Sequence, residues 1–514
     1  MAKLLLDKCA NVNAQGGLRE NALQAASLQG HEQVVKLLLD NGAEVNAQGG
    51  KYGNALQAAS AAGHQSIVQL VLDNGANVNK QGSLYSSALH AAVAENHTAI
   101  VKLLLDNGAD ALRHDSQGKS SLHYATNSIN YNISLIKLLL SRGAPADTTN
   151  IDNMTPLLYC VKYGHKSILG LLLDNGLSID ACVYRKPWSR NTVTTDTFYQ
   201  SSVSESEPDI SGTSAGLTAL HFAALTGNLD MTKFLLERGA NPNALSEYNE
   251  SPMHLTLRKA LHGPKHDDDW TDPDFRIENV WDFLDFEEDE IHSISASIKM
   301  HREGVLDALL ADARTSLMIR DYQHNYPLHC VGYKEPGSVS VIHKLVFRGA
   351  NPLERNLKQQ NALHLASRAG DHDAVAFLIS LGVEPALTDN KGLNALHYAA
   401  QSRNHETITI LLEAAIATRP SLVASKDNQG RNSLHHLLSA SAVRHETMQL
   451  LLDKGVDGLE LDASGNSPLA SYFKRACRFS SNVTICQQLL SVQGSSFFLL
   501  TKTDETSDTC VLYL

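Results

Sequence analysis

The sequence predicts an all-α repeat solenoid: stacked helix-turn-helix units that carry β-hairpin-like fingers. Three observations predict it. Glycines recur 33 residues apart at Gly42, Gly75 and Gly108, at Gly143 and Gly176, and at Gly349 and Gly382. Histidines keep the same interval at His221 and His254 and at His364 and His397. Around these positions one phrase returns, as in Asn54-Ala55-Leu56-Gln57-Ala58-Ala59, then Gly63-His64, then Ile67 through Ala76. A fixed period of this length marks a stack of supersecondary units, each burying its apolar face against its neighbours.

Each part of the unit has a physical reason. The first helix opens at Asn21, Asn54, Thr155, Thr218, Asn361 or Asn394, whose short side chains accept from free backbone N–H groups. Pro156, Pro252 and Pro468 follow at the first helical position, where a missing N–H costs nothing. Small pairs such as Ala25-Ala26, Ala58-Ala59 and Ala399-Ala400 let neighbouring helices approach closely. Gly30, Gly63, Gly164, Gly227 and Gly370 are placed to end this helix in the left-handed conformation. The second helix is the apolar run, Val34 to Leu39 or Ile100 to Leu105, stopped by Gly42 or Gly108. The polar stretch that follows, Glu44 to Lys51 for example, projects as a finger.

This pattern resembles the ankyrin repeat. Thr218-Ala219-Leu220-His221-Phe222-Ala223, Ser251-Pro252-Met253-His254 and Asn394-Ala395-Leu396-His397-Tyr398-Ala399 match its Thr-Pro-Leu-His-x-Ala signature. The resemblance covers roughly four-fifths of the chain. The Asn-Ala-Leu-Gln-Ala-Ala-Ser variant of the first two full repeats is similar to fungal ankyrin arrays, many of which follow a nucleotide-binding domain. The resemblance implies a concave groove, lined by finger tips and first helices, that binds other proteins. It also implies that the recurring histidine hydrogen-bonds between units.

Bulk properties narrow the function. Hydrophobic residues make up 43% of the 514, ordinary for a folded protein. Seven scattered cysteines without a C-x-x-C pair fit a reducing compartment. No apolar run approaches the ~18–20 residues of a membrane span. Met1 to Asp7 is too short an apolar run for a signal peptide. A cytoplasmic protein is expected, with the nucleus left open. The net charge of −12 and the lack of a basic stripe argue against nucleic acid as partner.

The array is interrupted twice. Residues 1–181 hold the N-terminal repeats, beginning with a half repeat. Residues 182–215 are a Ser/Thr-rich insertion with a candidate phosphorylation cluster at Ser202, Ser204 and Ser206. Repeats resume over 216–261. Residues 262–300 are an acidic-aromatic insertion: Asp267 to Glu290 carry twelve acids and one Arg276, −11 in all, with Trp270, Phe275, Trp281, Phe283 and Phe286 between them. It reads as an exposed docking peptide for a basic, grooved partner, as a flap lying on the array's own concave face, or as a helix over Ile277 to Phe286 packed on the adjacent repeat. Repeats continue over 301–464, and 465–514 form a degenerate capping repeat and tail. Because Met1 falls inside a unit, either this half repeat serves as the cap or, the favoured expectation, the chain is the back part of a longer protein.

Catalytic signatures are missing. There is no Gly-x-Ser-x-Gly elbow and no Gly-x4-Gly-Lys-Ser/Thr loop, so neither an enzyme nor a cofactor is expected. The recurring histidines sit one per unit, about 10 Å apart, too far to share a zinc bound at ~2.1 Å. No metal is expected. Partner binding is assigned to finger residues Lys51, Tyr52, Tyr85, Arg113, His114, Tyr248, Tyr322, His324 and Lys358, and to Trp270, Trp281 and Phe286 of the acidic insertion. Tyr, Trp and Arg are the usual anchors of protein interfaces. The leading reading is a non-enzymatic interaction scaffold. The alternatives are the sensor array of a receptor with an N-terminal nucleotide-binding domain, and a regulator acting through the acidic insertion.

Overall fold

The computed structural model describes residues 2–16, 21–82, 85–127, 131–151, 154–182, 216–257, 301–331, 338–418, 422–439 and 444–468. Among them the helices come in pairs and no strand is present. The chain divides into two compact units, one built mainly from residues up to 314 and the other from residues after it.

The first unit holds α1 (Ala2–Asp7), α2 (Ala22–Leu28), α3 (Glu32–Asp40), α4 (Ala55–Ala62), α5 (Gln65–Asp73), α6 (Ala88–Ala94) and α7 (Thr98–Asp106). It continues with α8 (Ser121–Thr126), α9 (Ile133–Ser141), α10 (Pro156–Tyr163), α11 (Lys166–Asp174), α12 (Ala219–Leu225), α13 (Leu229–Glu237) and α14 (Pro252–Leu257), then α15 over 301–311. The second unit holds a 3-10 turn at Pro327–Cys330, α16 (Ser338–Phe347), α17 (Ala362–Ala369), α18 (His372–Ser380), α19 (Ala395–Ser402), α20 (His405–Thr418), α21 (Ser433–Leu438) and α22 (His445–Asp453).

The caps work as the sequence implies. Asn54 accepts from Gln57 N, Thr155 from Leu158 N, Thr218 from His221 N and Asn394 from His397 N. Each such cap is worth about 1 kcal/mol. In the first unit the core lies between paired helices: Leu56, Ala59, Ile67, Val68 and Val71 are all buried. The second unit repeats this with Leu363, Ala366, Val375 and Leu378. Each fully buried branched side chain contributes about 1.5–3 kcal/mol.

Three devices lock one repeat to the next. The first is the histidine three residues after the cap. Its Nδ1 accepts from the cap's own N–H, at 3.1 Å for Thr218 to His221 and 3.1 Å for Asn394 to His397. The proton therefore lies on Nε2, which donates forward to a carbonyl of the next repeat: His221 to Glu250 O at 2.9 Å and His397 to Ser425 O at 3.2 Å. Burial pushes these rings below their ordinary value of 6.5: His90, His123, His221 and His364 to about 4, and His397 to about 3 with neighbouring His436 adding to the effect. In the first full repeat glutamine does the same work, and Gln57 of the second makes the forward bond, its Nε2 donating to Lys80 O at 3.2 Å. Gln24 Oε1 accepts from Asn21 N at 2.9 Å, and its Nε2 donates to Ala47 O and Gly53 O at 3.0 and 3.1 Å.

The second device is a row of asparagines 33 residues apart. Asn46 Nδ2 donates to Gly75 O at 3.1 Å while its Oδ1 accepts from Asn77 N at 2.8 Å; Asn13 and Asn79 do the same one repeat away on either side. The third is the histidine that opens the second helix. His97 Nε2 donates to Ala61 O at 3.1 Å, and its ring lies against Gly63, whose φ is +84°. A Cβ there would stand 2.7 Å from His97 Cε1. Gly63 is thus required both by its backbone and by its neighbour.

The second helices do not end on glycine alone. Asn41, Asn74, Asn107 and Asn175 precede the closing glycines, and each Nδ2 donates back to the carbonyl four residues earlier at 2.8 Å. The fingers are short. Isolated antiparallel bridges join Gly49 to Gly53 and His114 to Ser120, and many tips are closed by a backbone bond from residue i to i+4, as from Asp389 N to Leu393 O at 2.9 Å. Neighbouring fingers are joined by one further bond, from Ile151 N to Gln117 O in the first unit and from Asn390 N to Lys358 O in the second.

Candidate protein-interaction surface

The fingers of the early repeats carry tyrosines at one repeated place. Gly49 N bonds Gly53 O, and Gly82 N bonds Ser86 O. Tyr52 and Tyr85 each sit one residue before the carbonyl that closes the tip, so the period sets them side by side. Their rings stack with centroids 6.5 Å apart. Lys51 Nζ stands 5.5 Å from the Tyr52 ring centre, within range of a cation–π attraction. The Tyr85 hydroxyl donates to Glu95 Oε1 at 2.7 Å. Glu95 is the C-cap of α6, so this bond lays the Tyr85 ring across the first helix of its repeat. The next ring is Tyr124 of α8, edge-on to Tyr85 at 6.4 Å. Its hydroxyl donates to Asp115 Oδ2 at 2.7 Å.

The three rings form a strip that runs from finger tips onto a first helix across successive repeats, and all three are partly exposed. Burial and the adjacent carboxylates push the Tyr85 and Tyr124 phenols well above their ordinary range, so both remain neutral donors. Their hydroxyls engage Glu95 and Asp115. Lys51 and His114 stay exposed at the edge. An aromatic strip with engaged carboxylates and an available lysine can take up an extended, electron-rich chain segment by stacking and charge.

The other predicted anchors differ in use. Arg113 reaches back to Asn79 O at 2.8 Å and lies 3.7 Å from Asp110, so it braces the base of its finger. Tyr248 is an exposed tip of the first unit. In the second unit Tyr322 is exposed, and its hydroxyl accepts from Gln323 Nε2 at 3.0 Å. His324 has φ +59°, in the place that Gly392 and Gly430 hold in later fingers. Lys358 is half-buried, and its carbonyl accepts from Asn390 N. Trp270, Trp281 and Phe286 lie outside the described residues, as do Ser202, Ser204 and Ser206.

Several surface residues were not anticipated. Tyr124 is one; Asp115, nine residues earlier, accepts from its hydroxyl. The same spacing joins Tyr398 to Asp389 at 2.7 Å and His436 to Asp427 at 3.0 Å. Burial pushes the Asp427 carboxyl up, but bonds from His436 and Arg431 outweigh it and hold the group below the usual range. Leu357 is another: 54% exposed, it occupies the same tip position as Tyr322 one finger along. A second aromatic group in the first unit joins Tyr163 to His165 at 5.9 Å and Tyr131 to His165 at 4.4 Å, with Lys162 Nζ 5.4 Å from the Tyr163 ring centre. Among the described residues no group of three or more His, Cys, Asp or Glu could hold a metal. None of their helices is long and apolar enough to cross a membrane.

Paired helices, hydrogen-bonded fingers and a 33-residue register define a helical repeat protein with a finger-and-first-helix face. Models of ankyrin repeats match residues 1–82, 56–149, 89–182, 128–246 and 328–421, more than half of the sequence. The chain belongs to the ankyrin repeat family, whose repeats generally mediate protein–protein interaction. It is also similar to the ankyrin repeat protein FPV022 of Fowlpox virus (strain NVSL), 30% identical over 122 residues. That match covers 24% of this chain and 21% of the viral protein, so the chain spans about a fifth of that relative's length.

Proposed function

We propose that this chain is a non-enzymatic interaction scaffold, and that the tyrosine strip of its early repeats is a principal contact surface for a partner protein. The observation that carries this reading is the Tyr52–Tyr85–Tyr124 strip with Lys51 at its edge. The locks between repeats need none of these rings: Gln24, Gln57, Asn46 and the histidines hold the stack. Large aromatic side chains kept partly in solvent at equivalent finger positions therefore serve contact rather than folding. With this reading we propose a cytoplasmic location and a role without catalysis. The variant repeat phrase of the first two units also suits a sensor array within a longer receptor, where the same strip would meet the sensed protein.

The test is retention of partner proteins by the full chain carrying Lys51→Ala, Tyr52→Ala and Tyr85→Ala together. The expected result is loss of most specific partners at unchanged thermal stability. Retention of the same set by the triple variant would remove the strip from the binding face.

A further inference from the structure

We propose that the tyrosine strip docks the chain's own acidic-aromatic segment, residues 267–290. This deepens the preceding reading, since it rests on the strip being a contact surface and names an occupant. The chemistry is complementary. The strip offers stacking faces and an exposed Lys51, with exposed Lys80 on the next finger; Glu95 and Asp115 keep their charge while accepting from tyrosine hydroxyls, so the attraction for the acidic segment is centred on the two lysines and the ring faces. The segment carries −11 with five aromatic residues interleaved. Stacked or edge-on aromatic pairs each add about 0.5–1.5 kcal/mol beyond their buried area, and exposed cation–π contacts about 0.5–1. The charge of the rest of the chain permits the approach. The whole protein is −12, so everything outside the segment sums to about −1 and sets up no strong repelling field.

The chain is also long enough. The segment leaves after α14 and re-enters at α15. From α14 back to the repeat of Tyr124 is three repeat steps, about 30 Å, and to the finger of Tyr52 five steps, about 50 Å. The linking residues 258–300, fully extended, reach about 140 Å, enough to go out to Tyr52 and return. Tethering at such distances gives an effective concentration near the millimolar range, so even a weak intrinsic contact is populated.

The experiment uses the full chain and a variant in which residues 258–300 are replaced by a Gly/Ser linker of equal length. The probe is a labelled peptide of residues 265–292. The linker variant is expected to bind the peptide, and the unmodified chain to bind it about tenfold more weakly because its own segment competes. In the linker variant, Tyr52→Ala with Tyr85→Ala, or Lys51→Glu, is expected to weaken binding about tenfold, whereas Tyr85→Phe, which keeps the ring, retains most of it. Equal binding to the unmodified chain and the linker variant would overturn docking in cis. No binding to a folded linker variant would overturn the segment as occupant altogether, yet leave the partner-retention test of the strip standing on its own result.

Discussion

The first two full repeats and the repeats of the second unit perform one structural task with different chemistry. In the former, Gln24 closes the capping box, and Gln24 and Gln57 both bond the next finger. In the latter, His364 and His397 do so. Both side chains offer an acceptor toward the cap and a donor toward the next repeat, which is all the lock requires. They differ in one respect: histidine can take a proton and glutamine cannot. A protonated ring would lose the Nδ1 acceptor that the cap N–H needs, inside a site that already disfavours charge. The lock letters therefore set how the array answers to acid, while the finger letters set what it touches.

The largest effect that would sharpen this contrast is acid sensitivity. His364 at about 4 and His397 at about 3 lie below 6.5, so the unfolded state binds more protons between pH 6.5 and these values. Stability is fully present above 6.5 and falls as pH drops through that window. At pH 5 each ring removes about 2 kcal/mol, about 4 kcal/mol for the two. Hydrogen exchange of the full chain at pH 7.5 and pH 5 should show α17 and α19 losing protection while α2 and α4 keep most of theirs. His397→Gln should flatten the response locally, and Gln57→His should import it. Equal losses in both regions would break the comparison.

A smaller effect belongs to the packing of second-helix histidines. Gly63→Ala meets both a left-handed backbone and the His97 ring, and should cost about 2 kcal/mol, read as a lower urea midpoint. The smallest concerns His324, a side chain held at φ +59° on a tip. His324→Gly should raise stability by about 0.5–1 kcal/mol, relief of the left-handed strain being partly offset by glycine's entropy. No gain would mean that the His324 side chain holds its tip by contacts that compensate.

What could be read in the sequence was whatever acts over short separations. Caps at Asn54 or Thr218 and the glycines after each helix follow local rules, and their 33-residue recurrence made the stack legible. The locks were harder, because the groups that meet are distant in the chain. Gln24 meets carbonyls 23 and 29 residues on, so its place in the repeat phrase was visible and its bonds were not. Asn46 was hidden in the same way. Arg113 looked like a tip residue because the polar finger stretch has no internal periodicity. Its register puts it at the finger base, bonded to the preceding repeat. On the contact surface, Tyr52 and Tyr85 were legible as large aromatics in polar fingers. Tyr124 was not, because the position after a buried histidine reads as core, and in the second unit the equivalent Tyr398, bonded to Asp389 in the same way, is indeed buried.

The central claim is that contact belongs to the finger-and-first-helix face. The most direct measurement places a photo-crosslinking side chain at position 85 in one variant of the chain and at Lys102, exposed on the second helix α7, in another. Both are irradiated with the partners retained by the unmodified chain. The account predicts partner adducts from position 85 and few from position 102. Adducts from position 102 alone would contradict it and move the contact surface to the second helices.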